Sequence, residues 1–306
     1  MAPDVSIIIL TKNAGDRFDN VLSGVNKQTF DGEVETIFVD SGSTDGTVPR
    51  AREFGCDIYH IDPDEFHHSR TRNLGARKSN GDILVYLTHD AIPKTEQWLE
   101  RLVEPIRSDE AAVAYGKQVA YQDAKPMDKF FYSYFYPDER QTLGPKDAAD
   151  PRQFYLDNVF VSDVCSAIDS QIWNEFEFRD SVAMSEDKDF ALRVLRDGHN
   201  VVYEPAATVY HSHDYTLHSQ FRRRYKDGLA YAKIANKGTE EFVSDGFSYV
   251  VNEYQYLLTN GHGRWIPYAL AYDLAHFCGF EIGKHVTRFR RRNGGGLLSQ
   301  NDSKAD

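Results

Sequence analysis

Residues 35–47 have the sequence ETIFVDSGSTDGT, a short β-branched and aromatic run that ends in a polar, glycine-containing turn. A buried strand followed by such a turn is typical of an α/β sheet. The same pattern occurs earlier, where Val5–Leu10 leads into a polar loop, and later, where Ile83–Leu87 leads into Thr88-His89-Asp90. Because apolar strands alternate with helical segments, we expect a mainly parallel, Rossmann-like sheet with helices on both faces.

Polar side chains stand where these predicted strands end. Thr11 and Asn13 follow the first strand, Asp40 ends the second, and Asp90 follows the Ile83–Leu87 strand. In parallel sheets, ligands bind beyond the carboxyl ends of the strands. We therefore expect these polar groups to converge on one edge of the sheet.

The rest of the chain continues the pattern and then changes. Glu186–Arg196 is predicted to be an amphipathic helix, and Val201–Tyr210 a strand that is followed by His211-Ser212-His213. From Gln220 onward the chain is predicted to be helical and increasingly basic. Further elements are predicted as strands at Asp57–Ile61 and within Asn158–Ile168, and as a helix at Thr71–Lys78.

Composition limits the classes of function. The 306 residues suffice for one large α/β core with a smaller appendage. A net charge of -12 makes nucleic acid an unfavourable partner, because such binding depends on Lys and Arg at phosphates. The three cysteines, Cys56, Cys165 and Cys278, are widely spaced and odd in number, which favours a reducing compartment and no disulfide framework.

No signal peptide or membrane span is expected from the sequence. Val5–Leu10 is too short for a signal-peptide core and lacks a preceding basic region, and Trp265–Gly283 contains ionisable residues. We therefore expect a cytoplasmic protein. Its acidic balance, with more Asp than Glu and more Arg than Lys, is compatible with a halophilic source as well as with an ordinary acidic protein.

Several motifs occur together in order: VSIIILTKN, VDSGSTDGT, RTRNLGA followed by GDILVYLTHDAIP, SEDKDFALRVLRDG and YHSHDYTLHSQFRRR. Over residues 4 to 225 this set resembles the family 2 inverting glycosyltransferases. Within them it is most similar to the rhamnosyltransferase-like enzymes of bacterial and archaeal surface-glycan assembly. The resemblance implies a GT-A fold, a nucleotide-sugar donor (UDP-, dTDP- or GDP-linked) and a divalent cation, Mn²⁺ or Mg²⁺.

The resemblance implies that the donor sugar nucleotide binds at residues that end or follow the first two strands. Asp40 matches the family position that accepts a hydrogen bond from the donor's base, and a carboxylate suits an imide N–H. Thr11 and Asn13 are expected to line the same pocket. The alternative for Asp40 is a structural cap of the following turn.

The resemblance also implies a metal site. Asp90 matches the last acid of the family's Asp-x-Asp signature, which holds the cation on the donor diphosphate, although Thr88 and His89 stand where acids are common. His211 and His213 resemble an additional metal ligand of some relatives, and alternate strand residues point the same way. Imidazole suits Mn²⁺ better than Mg²⁺. A structural role for these residues is the alternative.

Glu186 and Asp187 match the family's Glu-Asp pair, in which the Asp is the general base. Inverting transfer needs a carboxylate that takes the proton of the attacking acceptor hydroxyl. Glu186 is then expected to orient the acceptor, and Asp189 is the less favoured base. The alternative is that these acids only favour the start of a helix. Arg72 matches a family position that supports the donor site. The alternative is that it forms a structural salt bridge.

The predicted organisation is a GT-A catalytic domain over 1–225, with a nucleotide-sugar half (1–120) and an acceptor half (121–225), then a helical extension over 226–306. Within the extension, 265–292 is amphipathic and ends in a basic cluster. Such a segment is a candidate contact to anionic lipid, or else a packed helix. The expected acceptor is a glycan or lipid-linked oligosaccharide.

Three other functions would require different sequence features. A nucleotide-dependent oxidoreductase would need a Gly-x-Gly-x-x-Gly turn after the first strand, where this chain has Thr-Lys-Asn-Ala-Gly-Asp. A glycoside hydrolase would use two carboxylates without needing diphosphate-binding strand ends. A nucleotide-sugar-binding module without catalysis could dispense with Asp187.

Overall fold

A computed structural model describes residues 3–182, 185–234 and 242–292. The chain forms two compact units, Met1–His213 and Asp214–Asp306. The domain division predicted between residues 225 and 226 falls inside a helix, Leu217–Ile234. As a division of functions it stays a prediction.

The first unit is built on one sheet, which in the described part of the chain has nine strands in the order β3-β2-β1-β4-β8-β6-β9-β5, with β7 also paired to β9. The strands are β1 (Val5–Thr11), β2 (Val34–Asp40), β3 (Asp57–His60), β4 (Ile83–Leu87), β5 (Ile92–Pro93), β6 (Val113–Val119), β7 (Gln141–Leu143), β8 (Cys165–Asp169) and β9 (Val201–Tyr210).

Six of these strands run in one direction, so the predicted mainly parallel sheet is confirmed. Strands β3, β2, β1 and β4 pair in parallel, and so do β6 and β9. Strand β8 lies between the two groups and pairs antiparallel to both, with Leu87 opposite Cys165. The residues that precede β8 therefore lie at the same edge as the residues that follow β4.

Helices cover both faces of the sheet. They are α1 (Phe18–Asn26), α2 (Thr47–Glu53), α3 (His68–Lys78), α4 (Trp98–Arg107), α5 (Pro126–Phe135), α6 (Pro151–Asp157), α7 (Ser170–Phe176) and α8 (Glu186–Arg196). The alternation along β1 shows the two layers, because Ile8 belongs to one buried cluster while Ile7 and Ile9 belong to the other. Burial of both faces explains the continuous apolar runs of the parallel strands.

The pairing of β9, the strand that leads to His211, has a register shift. The pairing of β6 with β9 shifts between Gly116 and Lys117, which lie opposite Glu204 and Thr208. A Cβ at Gly116 would overlap the carbonyl oxygen of Ala207, so glycine permits the close approach. Beyond the shift, Val119 pairs with Tyr210, and the chain leaves β9 at the edge where β6 ends.

The second unit contains α9 (Leu217–Ile234), α10 (Phe242–Thr259) and α11 (Ile266–Arg292), which confirms the predicted helical extension. Helices α9 and α11 pack closely through glycines: a Cβ at Gly228, Gly279 or Gly283 would overlap backbone atoms of the facing helix. Among the described residues, no helix combines the length and the apolar character that crossing a bilayer requires.

Candidate active site

Hydrogen bonds join the loops that follow β1 and β2. The amide of Asn13, a residue with φ of 47°, donates to Ser43 Oγ at 2.9 Å, and Asn13 Oδ1 accepts from the Thr44 amide at 2.8 Å. The Ala14 amide donates to Thr47 Oγ1 at 2.9 Å. The predicted proximity of these two strand ends is thus observed, with Thr11 directly opposite Asp40 in the sheet.

Asp40 is the buried centre of this corner, with 2% of its surface exposed. Its Oδ1 accepts from the hydroxyls of Thr11 and Ser43, and its Oδ2 from the amides of Gly42 and Ser43 at 3.1 and 3.0 Å. Burial raises the pKa of Asp40, but these hydrogen bonds outweigh it and hold the pKa below the ordinary value. The carboxylate is therefore ionised and caps the turn.

These contacts bear on the predicted base-binding role. A carboxylate has about four lone-pair sites, and four protein donors already reach Asp40. A donor base could bind there only if the Thr11 or Ser43 hydroxyl turned away. The contacts support the capping alternative directly, and base recognition by Asp40 stays a prediction.

Asp90, His211 and His213 come together at the ends of β4 and β9. One ligand atom from each lies within 4.8 Å of the other two. His211 Nε2 is 3.6 Å from Asp90 Oδ2, and the rings of His211 and His213 are 4.7 Å apart. One carboxylate and two imidazoles are a ligand set that suits Mn²⁺.

Neighbouring side chains orient His211. Its Nδ1 is 2.9 Å from Gln118 Oε1 in the buried end of β6. Because an amide oxygen only accepts, Nδ1 carries the proton and Nε2 is left to bind a cation. The Tyr132 hydroxyl also lies 3.4 Å from Nδ1. This outer contact is the feature expected of a metal-binding histidine.

The surroundings of Asp90 favour its ionised form. Burial raises its pKa, but the nearby imidazoles of His211, His89 and His213 bring the pKa below its ordinary value. The Tyr121 hydroxyl donates to the carbonyl oxygen of Asp90. The residues present thus fit a divalent cation, and the position of Asp90 in the motif GDILVYLTHDAIP is where the sequence predicted a ligand.

Glu186 and Arg72 form a buried ion pair at the start of α8. Arg72 Nη1 contacts Glu186 Oε1, and Arg72 Nε lies 3.1 Å from Asp163 Oδ2. Burial lowers the pKa of Arg72, but the two carboxylates outweigh it and raise that pKa above its ordinary value. The structure thus places Arg72 with Glu186 and Asp163, which supports the salt-bridge alternative; a donor contact stays a prediction.

Asp187 is half-buried beside this pair. Its Oδ2 accepts from the amide of Asp163 at 3.3 Å and its Oδ1 from the amide of Lys188 at 2.8 Å. Burial and the neighbouring Glu186 raise the pKa of Asp187, against the opposing effect of Arg72. A carboxylate with a raised pKa is a better proton acceptor, as a general base requires.

Asp189 has structural partners instead. It accepts from Arg193 Nε at 2.9 Å and lies 3.7 Å from Arg179 Nη1. An i,i+4 pair of this kind stabilises the helix. Its contacts agree with the preference for Asp187 as the base.

The site contains residues that the sequence did not single out, chiefly Asp163, Gln118 and Tyr121. Asp163 precedes β8, so the rule that ligand residues follow parallel strands misses it. An antiparallel strand brings its preceding residues to that edge. A predicted strand direction for β8 would have been the signal.

The fold of the chain is the GT-A fold of glycosyltransferases. Among solved structures, the chain is similar to the mannosyltransferase PcManGT from Pyrobaculum calidifontis in complex with GDP-Man and Mn²⁺, with a TM-score of 0.60 and 16% identity, covering 95% of this chain and 88% of that one. At this identity the likeness shows the fold.

The chain belongs to glycosyl transferase family 2, whose family model matches residues 6–174. It is similar to the O-antigen chain rhamnosyltransferase RfbN of Salmonella typhimurium, with 32% identity over 92% of this chain and 90% of the relative. It is also similar to the O-antigen chain rhamnosyltransferase WbaN of Salmonella anatum, with 31% identity over the same shares of both chains. The protein is therefore a glycosyltransferase.

Proposed function

We propose that the protein transfers a sugar from a nucleotide-diphosphate sugar to a hydroxyl of a growing, lipid-linked surface glycan. The transferred sugar is proposed to be rhamnose, and the configuration of its anomeric carbon is inverted. The observation that carries the proposal is the pairing of two sites at one sheet edge. Asp187 offers a half-buried carboxylate, and Asp90 with His211 and His213 offers a cation site. The similarity to the O-antigen chain rhamnosyltransferases RfbN and WbaN supports rhamnose and an O-antigen-type acceptor.

Asp187 accepts the proton of the acceptor hydroxyl as that oxygen attacks the anomeric carbon. The bond from this carbon to the diphosphate oxygen breaks, and its electron pair leaves with the diphosphate. Attack from the face opposite the leaving group inverts the configuration, and no covalent glycosyl-enzyme forms. Glu186, which is paired with Arg72, is proposed to orient the acceptor beside Asp187.

Asp90, His211 and His213 would hold the divalent cation, with His211 fixed by Gln118. A bound cation neutralises charge on the diphosphate and so makes it a better leaving group. The two imidazoles favour Mn²⁺ over Mg²⁺. Thr11, Asn13 and Asp40 are proposed to form the nucleoside end of the donor site.

A donor panel tests this function. The protein with Mn²⁺ is mixed with UDP-, dTDP- and GDP-sugars, and thermal stabilisation identifies the donor; a hundredfold excess over Kd raises stability by about 2.7 kcal/mol. Turnover with the selected donor and a lipid-linked acceptor is then followed, and the anomeric configuration of the product is read by NMR. Retained configuration, or hydrolysis with no transfer to any acceptor, would contradict the proposal.

We further propose that the protein works at the cytoplasmic face of a membrane through α11. Leu270, Leu274 and Phe277 recur at helical spacing and are 52%, 55% and 54% exposed. Such an apolar stripe suits the headgroup boundary of a bilayer. The basic residues Arg288 and Arg290–Arg292 follow in the sequence, and their side chains lie outside the described residues.

A further inference from the structure

Three carboxyl groups lie around the Arg72 guanidinium at the start of α8, with Lys188 acting on Asp187 and His68 Nδ1 4.0 Å from Glu186 Oε1. Arg72 contacts Glu186 through Nη1 and lies 3.1 Å from Asp163 through Nε, and Asp187 is the next residue along the helix. The Asp163 side chain is fully buried. Buried carboxyl groups that share one guanidinium affect one another, so the arrangement is sensitive to each of them.

Asp163 is joined to the base by its main chain as well. Its amide donates to Asp187 Oδ2 at 3.3 Å, and its own Oδ1 accepts from Ser166 Oγ at 2.8 Å. Ser166 lies in β8, so the carboxyl of Asp163 anchors the loop to the sheet while the amide holds Asp187. The Tyr115 hydroxyl, on β6, lies 3.4 Å from the carbonyl oxygen of Asp187.

The charges also link the two aspartates. Burial raises the pKa of Asp163 to about 7, with Asp187 and Glu186 acting in the same direction and Arg72 against them. Burial and Glu186 also raise the pKa of Asp187, against the opposing effects of Arg72, Lys188 and the amide hydrogen bond from Lys188. A change at Asp163 is therefore expected to act on the base.

We propose that Asp163 is a positioning residue for the general base, fixing Asp187 through its amide and sharing Arg72 with Glu186. This inference rests on the proposed function, because it assumes that Asp187 is the base. It assigns a role to the segment before β8. The groups that face Asp163 are Arg72 on α3, Tyr86 on β4, Tyr115 on β6, Ser166 on β8, and Glu186 and Asp187 on α8.

The test is the Asp163→Asn variant, which keeps the shape, the amide and an acceptor for Ser166. Arg72 keeps Glu186 as its counter-ion, so we expect the variant to fold. Misplacement of a catalytic group by about 1 Å can cost 10²-fold. We therefore expect kcat to fall about 10- to 100-fold, with the affinity for dTDP and Mn²⁺ unchanged by calorimetry.

The split between kcat and donor affinity separates positioning from a structural role, because a general loss of structure would weaken the binding of dTDP and Mn²⁺ as well. Asp163 holds a proton below about pH 7 and Asn resembles that neutral form, so the acid limb of kcat should stay in place in Asp163→Asn. Ser166→Ala is the matched variant: it leaves every charge in place and frees Oδ1 of Asp163. It should lower kcat severalfold without moving the acid limb, and it carries the test if Asp163→Asn fails to fold.

The outcomes are distinguishable. A folded Asp163→Asn protein with wild-type kcat, or one that loses kcat and dTDP affinity together, overturns the role of Asp163. If Asp187→Asn is inactive beside it, the proposed function still stands. If only Ser166→Ala folds, wild-type kcat in that protein overturns it equally. Turnover that survives Asp187→Asn removes the base itself, and the proposed function fails first.

Discussion

His211 Nε2 and Asp90 Oδ2 lie 3.6 Å apart, although one residue follows β9 and the other follows β4. A carboxylate oxygen and an imidazole nitrogen at this separation would suit a shared divalent cation. His213 adds a third ligand atom within 4.8 Å of both. The alternative is a direct ion pair between a protonated His211 and Asp90, which would need no cation.

Asp90→Ala distinguishes these alternatives. We expect the Mn²⁺-dependent binding of dTDP to weaken at least about tenfold, because losing even an outer contact of a metal ligand typically costs 10- to 100-fold. Calorimetry with Mn²⁺ and with EDTA measures the effect. Asp31→Ala, which removes an exposed acid elsewhere, is the control. Equal Mn²⁺-dependent binding by the two variants would exclude Asp90 as a ligand.

A second prediction concerns the base. Asp187→Asn keeps the size of the side chain and removes its ability to take a proton, so turnover should fall about 10²- to 10⁴-fold. This decrease corresponds to an activation free energy that is higher by about 2.7–5.4 kcal/mol. Donor affinity should stay near that of the wild type, since Asp187 acts on the acceptor. Initial rates under conditions where chemistry limits kcat provide the measurement.

Asp189→Asn is the matched control for Asp187→Asn. Both residues lie in the first turn of α8, but Asp189 pairs with Arg193 and Arg179. We expect the control to lose a little stability and to keep most of its turnover. If the two variants lose turnover equally, the effect belongs to the helix start and not to a base.

The secondary structure was largely predictable, because burial on both faces makes the strands uninterrupted apolar runs. Ile83–Leu87 and Val201–Tyr210 coincide with β4 and β9 as observed. The grouping of Asp90 with His211 and His213 was also predictable, since the ends of parallel strands share one edge. These features depend on local pattern and on strand direction alone.

The polar partners inside the site were not predictable in the same way. Arg72 pairs with Asp163 because β8 runs antiparallel to β4. No local pattern in residues 158–168 indicates this strand direction. Whether Asp40 is free for a ligand depends on where the Ser43 and Thr11 hydroxyls point. Hydrogen-bond satisfaction is a property of the folded arrangement and not of residue spacing.

A third prediction concerns stability and pH. The pKa of Asp163 is raised from 3.8 to about 7 in the folded protein, so the native state holds a proton that the unfolded chain releases over this range. The contribution of Asp163 to the free energy of unfolding therefore falls as pH rises from about 4 to 7. In Asp163→Asn this contribution is absent. Urea unfolding at several pH values measures the free energy of unfolding, which should decrease less steeply with pH in the variant than in the wild type. Identical pH dependences would contradict the buried, protonated state of Asp163.

The packing of α9 against α11 gives a fourth prediction. A Cβ at Gly283 would overlap the carbonyl oxygen of Tyr225 on α9, so Gly283→Ala must push the helices apart. Overpacking of this kind typically costs about 1–3 kcal/mol. Gly246→Ala in α10 is the control, because its Cβ meets nothing within 4 Å. There alanine should stabilise the helix by roughly 0.5–1 kcal/mol.

Thermal unfolding of the two glycine variants provides the comparison. Opposite shifts of Tm are expected, down for Gly283→Ala and up for Gly246→Ala. A downward shift in both would mean that helix packing is not what distinguishes them.

The last prediction concerns membrane contact. Changing Arg288, Arg290, Arg291 and Arg292 to Gln keeps the apolar stripe and removes four charges. Each basic residue near an anionic leaflet is worth about 1 kcal/mol, so binding to anionic vesicles should weaken at least about tenfold at low salt. The difference should shrink at 1 M salt, where the Debye length is about 3 Å.

Two further variants complete the membrane test. Changing Lys27, Arg52, Arg101 and Arg107 to Gln removes the same charge from exposed positions of the first unit, and it should leave vesicle binding unchanged. Leu274→Gln with Phe277→Gln should weaken binding at low and at molar salt, because apolar burial is not screened. At molar salt the apolar stripe would then supply most of the attachment. Sedimentation with anionic and neutral vesicles measures the binding of all these proteins. If the wild-type protein sediments with neither kind of vesicle at any salt concentration, α11 does not bind membranes.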